Sequence, residues 1–319
     1  MHNLRRFYYK NKDKIWKVVL IIAFLLGIIY FLNNNVIEKI NDSNNGSLII
    51  DNQIYENTET QTYIEKESAI SGSIITEKEV DKINKTVNQF LQYCKNGNSQ
   101  EAYDMLSVDS KENQYKTLDE FENRYMKKKY NNENVFKIEK WISDTYKITI
   151  STDMLATGEI DNVEKIEYIS IVMEGQEQKL NINGYVGKSI VNKKTIQKDI
   201  EISVLEKQRY IDYEIYNFKI INLSEKKIKV DSLQKIGTMH LEDSNKIKYN
   251  AYAHELFEPN LEIKPNEEVS INIKYANPYS TRVVIKKIVF ENIISDYVKY
   301  KTMQNKKEYK EICEVVIEV

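Results

Sequence analysis

The longest uninterrupted apolar stretch of the chain is Ile15–Leu32, IWKVVLIIAFLLGIIYFL. Wound as a helix it spans about 27 Å, close to the hydrocarbon thickness of a bilayer. Its one charge, Lys17, lies near enough to an end to reach the headgroups, and Trp16 and Tyr30 stand where interfacial aromatics are expected. The pattern predicts a transmembrane helix, with the lipid bilayer as a partner. After it, residues 33–75 are polar and without sustained period, so a flexible stalk is expected. A random coil of that length reaches about 35–40 Å r.m.s..

Periodicity begins at Thr76. Thr76-x-x-Glu79 reads as a capping box, with Ile75 and Val80 as a hydrophobic staple. Val80, Ile83, Val87, Phe90, Leu91 and Cys94 then recur at helical spacing, and Asn96–Gly97 ends the run as a C-cap. Ser99 is positioned to cap a short second helix bearing Ala102, Tyr103 and Leu106. Thr117-x-x-Glu120 opens a third, with Leu118, Phe121 and Tyr125 on one side. Strand patterns follow at 134–141, 145–152, 164–174 and 178–191, with a hairpin turn at Glu174–Gly175–Gln176. Three helices and then an antiparallel sheet is an α+β order.

From about residue 196 the alternation is all-β. It runs through Ile200, Ile202 and Val204, through Tyr216, Phe218 and Ile220, and through Ile228 and Val230. It resumes at Val269–Tyr275 and at Cys313–Val319. Turn signals fall at 222–226, 264–268 and 277–280. About seven short strands predict a β-sandwich. The expected division is therefore a basic tail (1–14), an anchor (15–32), a stalk (33–75), an α+β domain (76–193) and a β-sandwich (194–319).

Charge sets the orientation. Residues 1–17 carry Arg5, Arg6, Lys10, Lys12, Lys14 and Lys17 against Asp13, about +5, which places the tail in the cytoplasm and the bulk of the chain outside the cell. The sequence after Leu32, NNNVIEKINDSNNGS, holds no Ala-x-Ala-like cleavage site and no lipid-accepting Cys, so an uncleaved signal anchor is expected over a cleaved signal peptide. The whole chain carries a formal −2; setting the tail's +5 aside leaves about −7 for the external part. That sign argues against nucleic acid as a partner. The abundance of Lys, Asn, Ile and Tyr beside 3 Pro and 9 Gly suggests a low-GC Gram-positive bacterium. It also empties the Asn-x-Ser/Thr matches at Asn41, Asn45, Asn84 and Asn222 of meaning. The 2 cysteines, Cys94 and Cys313, read as small buried hydrophobes, with an interdomain disulfide as the alternative.

Two resemblances rest on these residues. FLQYCKNGNSQEAYDMLSVDSKENQYKTLDEF resembles the helical start of bacterial nuclear-transport-factor-2-like domains: an amphipathic helix, a G-polar-x-x-x-A-Y-x-x-L-S run, then a T-x-x-E-F helix. The resemblance implies a cone, a curved sheet wrapped around three helices and a pocket. YEIYNFKIINLSEKKIKV, with PNEEVSINIKY later, resembles immunoglobulin-like modules of exported Firmicute proteins, though without a Cys-Trp-Cys arrangement. Anchored cone domains in this orientation are similar in layout to components of conjugative and type IV secretion machines.

Candidate chemistry is sparse. Catalytic members of the cone superfamily use an Asp, often with His or Tyr, inside the pocket. No His falls between residues 76 and 193, and Asp104, Asp109, Asp119, Asp144 and Asp153 each fit a helix surface, cap or turn. Cys94 lacks a His to activate it. His240 and His254 have no Cys or Asp at ligand spacing, so no metal is expected, and phosphate-loop and nucleophile-elbow motifs are missing. No cofactor is expected. Tyr93, Tyr103, Tyr125 and Trp141 are the candidates to line a cone pocket, with plain core packing as the alternative. The sequence thus leads to a non-enzymatic, single-pass membrane protein presenting interaction domains to an envelope protein partner. The alternative is an extracytoplasmic small-molecule sensor or carrier using the cone pocket.

Overall fold

The computed structural model describes residues 62–152, 164–281 and 283–319. All of them belong to one compact unit. Among them no helix is long and apolar enough to cross a membrane. The expected anchor, Ile15–Leu32, its flanking residues and the proximal stalk lie outside the described residues.

The first helical run starts where the capping box places it. Thr76 accepts a hydrogen bond from the Glu79 amide at 3.3 Å, and Glu79 accepts one from the Thr76 amide at 3.1 Å. Helix Glu77–Ile83 continues through a π-helical turn, Asn84–Asn88, into helix Gln89–Asn96, which ends at Gly97 with φ 78. Only glycine takes that left-handed conformation without strain. Helix Ser99–Asp104 follows, but its N-cap is Asn98 and no side chain caps it. Thr117 does cap helix Leu118–Phe121, although Glu120 turns to the Lys116 amide, so the expected box is half formed. An additional helix, Val108–Gln114, is capped by Ser107. Its VDSKENQ has too few apolar residues for a periodic signal. Replacing Thr76 by Ala should cost about 1 kcal/mol of unfolding free energy; a urea midpoint unmoved by the change would show that the box carries no stability.

These helices pack on the first sheet: β1 (Thr62–Ile64), β2 (Asn134–Ile142), β3 (Thr145–Thr152), β4 (Lys165–Glu174) and β5 (Glu177–Asn181), in that order. Strands β2 to β5 are antiparallel and β1 joins β2 in parallel. Residues 62–75, expected as stalk, are therefore part of the fold. Thr62 donates to Asn88 at 2.9 Å and Ile75 is buried. Three residues are too few to alternate legibly. The β4–β5 hairpin turns at Gly175–Gln176, as its sequence indicates.

The run expected as one strand over 178–191 is two. It breaks at Ile182–Gly184, where Asn183 and Gly184 take φ 60 and 70. The second piece, β6 (Tyr185–Gln197), leaves the first sheet and pairs along its length with β7 (Ile200–Tyr210). Residues 193 and 194 both lie inside it. Strand β8 (Glu214–Asn222) pairs with β7 and with β13 (Glu268–Tyr275), closing a second sheet in the order β13-β8-β7-β6. A third sheet holds β9 (Ile228–Lys229), β10 (Met239–Asp243), β11 (Lys248–Asn250), β12 (Glu262–Ile263), β14 (Ile285–Ile294) and β15 (Ile312–Glu318). A short helix, Tyr297–Thr302, bridges β14 to β15.

The second and third sheets share one core: Ile202, Val204, Phe218, Ile273 and Tyr275 from one side meet Leu241, Ile288, Phe290 and Val315 from the other. The alternation read at 200–204, 216–220, 269–275 and 313–319 points these side chains inward. The two sheets hold ten strands where about seven are expected, and no alternation marks β10 to β12 or β14. IKKIVFENII carries doubled apolar residues around a register shift at Phe290/Ile293, which breaks the two-residue period.

Candidate functional site

Between the helices and the first sheet the interior is filled by aromatic rings. Phe121 lies 5.4 Å from Tyr125, 5.6 Å from Tyr103, 5.9 Å from Tyr115 and 6.4 Å from Phe90, centroid to centroid. Tyr130 extends the cluster to Phe136. The four pocket candidates divide accordingly. Tyr125 is fully buried in this cluster, and Tyr103 donates its hydroxyl to the Tyr115 carbonyl at 3.0 Å. Tyr93 packs partly buried against the same core and accepts from Gln89 at 2.9 Å. Trp141 stands on the opposite face of the sheet, 5.1 Å from Tyr168. None of the four lines either of the two clefts described below.

The residue that draws the described chemistry together is Glu167. On β4 it shares the inward register with Ile169 and Ile171 and is only 3% exposed. Strand β5 pairs with Ser170–Glu174 alone, so the first half of β4 would otherwise be an open edge. The Glu167 carboxylate closes part of it. It accepts from the Tyr168 amide and, at 2.5 Å, from the Asn183 amide. It also forms an ion pair with Lys129, at the end of the helical segment Lys127–Lys129. An inward-pointing charge of this kind is one device by which proteins blunt sheet edges.

Lys129 also donates to the Asn183 side-chain oxygen at 2.7 Å and lies 4.7 Å over the Tyr125 ring. Asn183 in turn donates to the Tyr115 hydroxyl at 3.0 Å. Burial raises the Glu167 carboxyl above its ordinary value; the charge of Lys129 and the hydrogen bonds oppose this and do not overcome it. The Tyr115 hydroxyl is pushed up to about 12, first by burial and then by the charge of Glu167. The same two causes, in the same order, push up the Cys94 thiol, which is buried and unpaired with Cys313. A thiol held protonated is a poor nucleophile.

Beside this cluster lies a cleft of about 420 Å³, within the range of ligand sites. Lys129, Ile166, Glu167, Tyr168 and Asn183–Gly184 form one side; Tyr210, Ile211, Asp212 and Tyr213, at the β7–β8 turn, form the other. The turn is fixed by a bond from the Ile211 amide to the Gly184 carbonyl at 2.9 Å. A Cβ added at Gly184 would make an ordinary contact with the Ile211 side chain at 3.4 Å; glycine is favoured here by its φ of 70. A second cleft, about 590 Å³, opens at the other end of the helices beside Cys94, Gly97, Met126 and Tyr130.

The remaining candidates lie apart. Asp104 accepts from Gln100, Asp109 pairs with Lys188 at 3.0 Å, Asp144 pairs with Lys82 at 2.5 Å, and Asp119 sits in an exposed first helical turn; Asp153 lies outside the described residues. His240 is buried, with Nδ1 2.9 Å from the Gly237 carbonyl, and His254 is 77% exposed at its side chain beside Glu255. Among the described residues no group of three acidic, His or Cys side chains is placed to hold a metal ion.

No spacing or motif in the sequence marks Glu167, Lys129 and Asn183 as a cluster. The available signal is Glu167 itself, a charge in the apolar register of KIEYISIV, followed by an Asn-Gly pair at the turn between β5 and β6. No family model, no curated protein and no solved structure matches the chain.

Proposed function

We propose that the chain is a single-pass membrane protein that carries a non-enzymatic interaction module on the outer side of the cell membrane. It would serve as an assembly or scaffold component of the envelope. In this reading the helix-backed first sheet is a nuclear-transport-factor-2-like cone and the two facing sheets are an immunoglobulin-like sandwich. Helices preceding an antiparallel sheet support the first assignment, and a shared core between two antiparallel sheets supports the second.

The observation that carries the proposal is the filled interior. Phe90, Tyr103, Tyr115, Phe121, Tyr125 and Tyr130 occupy the space in which a catalytic or ligand-carrying cone keeps its pocket. The one carboxylate of the described residues that is buried beside that space, Glu167, already serves Lys129 and two amides. A sensor or carrier that used Tyr103 and Tyr125 as pocket walls would have no room between them.

Two measurements test it. Cysteine introduced at the exposed Ile236 should react with a membrane-impermeant maleimide on intact cells, while one introduced at Asn3 should react only after lysis. Crosslinking on intact cells followed by pull-down should return a reproducible envelope protein. Labelling of Ile236→Cys only after lysis, or a pull-down that returns no envelope protein, would end the proposal.

A further inference from the structure

We propose that the cleft between β4 and the β7–β8 turn binds a hydroxyl-rich neutral ligand, a saccharide unit. The inference goes beyond the scaffold reading and does not depend on it.

The argument begins with what the cleft offers. The hydroxyls of Tyr168, Tyr210 and Tyr213 and the carboxylate of Asp212 make no hydrogen bond within the described residues, and none of these atoms is sealed from solvent. The strand edge contributes more. The Ile171 amide bonds to the Asp144 carbonyl on the β3 side, so even-numbered residues of β4 direct their main-chain groups the other way. Strand β5 satisfies those of Ser170–Glu174, and the Gly184 amide takes the Tyr168 carbonyl at 3.1 Å. Among the described residues nothing takes the amide and carbonyl of Ile166, which lines the cleft.

The groups are also held in place. Tyr185 packs against Tyr210 at 5.2 Å, Tyr210 stacks on Tyr213 at 4.6 Å, and the Lys274 ammonium covers the outer face of Tyr213 at 4.0 Å. The faces of Tyr210 and Tyr213 are thus occupied and their hydroxyl-bearing edges remain. Two-angle tyrosine side chains fixed in this way lose little entropy on binding.

Elimination selects the ligand class. An anion would need a free cation, and Lys129 is engaged by Glu167 and Asn183. An apolar ligand would need a dry wall, and Ile166 is the one large exposed hydrophobic side chain in the lining. A metal ion would need more than the single unengaged carboxylate of Asp212. Phenol hydroxyls both donate and accept, the carboxylate accepts, and the Ile166 main chain does each once. A saccharide, whose hydroxyls do both, complements that set.

The test uses the full chain, detergent-solubilised, titrated with cellobiose and with diacetylchitobiose and followed by saturation-transfer NMR. At least one disaccharide should bind. Tyr213→Phe and Asp212→Asn, which keep ring stacking and side-chain shape, should each weaken binding about 5- to 10-fold, the effect of one hydrogen bond. Tyr93→Phe, outside the cleft, should leave it unchanged, and melting of all three variants should match the parent. Failure of both disaccharides to bind, or binding that Tyr213→Phe and Asp212→Asn together leave intact, would overturn the proposal. Neither outcome bears on envelope crosslinking.

Discussion

Phe121→Ala should lower the unfolding free energy by about 3–5 kcal/mol, measured by urea denaturation of the detergent-solubilised chain. Phe121 is fully buried and touches four other rings, so its removal opens a cavity whose walls are large, rigid and unable to collapse onto one another. Beyond the transfer free energy of the ring, each of these aromatic pairs adds roughly 0.5–1.5 kcal/mol. A domain's whole stability is about 5–15 kcal/mol, so the variant should sit close to its unfolding midpoint without denaturant. Phe121→Leu, which refills most of the volume, should recover part of the loss. A loss below about 1 kcal/mol for Phe121→Ala would mean that the helix layer is looser than its packing implies.

The second large effect is expected at Lys129. Lys129→Met keeps the aliphatic stem over Tyr125 and strips Glu167 of its counter-charge. Breaking a buried pair from one side costs about 3–5 kcal/mol, because the remaining charge is left desolvated; the lower end applies here, since Lys129 is 28% exposed at its side chain. The sign of the pH dependence follows from Glu167. Its carboxyl is already raised in the folded protein by burial. The native state therefore holds the proton more tightly than the unfolded chain does. The stability this group contributes is full below its unfolded value, about 4.3, and is lost as pH rises through the folded value.

Removing Lys129 removes an influence that lowers that value, so the window of loss moves to higher pH. The difference between parent and variant should accordingly shrink as pH falls from 7 toward 5. Lys129→Met combined with Glu167→Gln should lose much less than Lys129→Met alone and should show a flat difference with pH. A pH-independent loss in the single variant would assign the effect to the Asn183 contact instead.

Most of what was legible in the sequence rests on local rules. The Thr76 cap, the Gly97 terminus, the Gly175 turn and the alternating strands β7, β8, β13 and β15 each obey a pattern confined to a few neighbouring residues. Features that depend on distant partners were not legible. Residues 62–75 read as stalk because β1 has three residues and is held by Asn88 and by β2, some 25 and 75 positions away. Strand β14 was hidden by the register shift that fits it between β10 and β15. Strands β10 to β12 of the same sheet are two to five residues long. At the candidate site, Lys129, Glu167 and Asn183 come from a helix end, a strand and a turn, and no spacing rule joins them. Tyr103 and Tyr125, candidates for pocket lining with core packing as the alternative, face inward; that Phe90, Tyr115 and Phe121 from separate segments converge on the same space depends on packing that no local pattern conveys.

Strand β6 bears on how such a chain could be inherited in pieces. It enters from the turn that seats Glu167 and runs without interruption to Gln197 as the edge of the second sheet. Its Lys188 side chain holds Asp109 on the helical side, while Gln197 accepts from the Val316 amide at the far end of the chain. A recombination event that joined a foreign partner after residue 193 would sever a strand midway and leave β7 with half a neighbour. Any exchange of one of the two β-rich parts at that point would have to rebuild a single thirteen-residue strand, Tyr185–Gln197, that serves both.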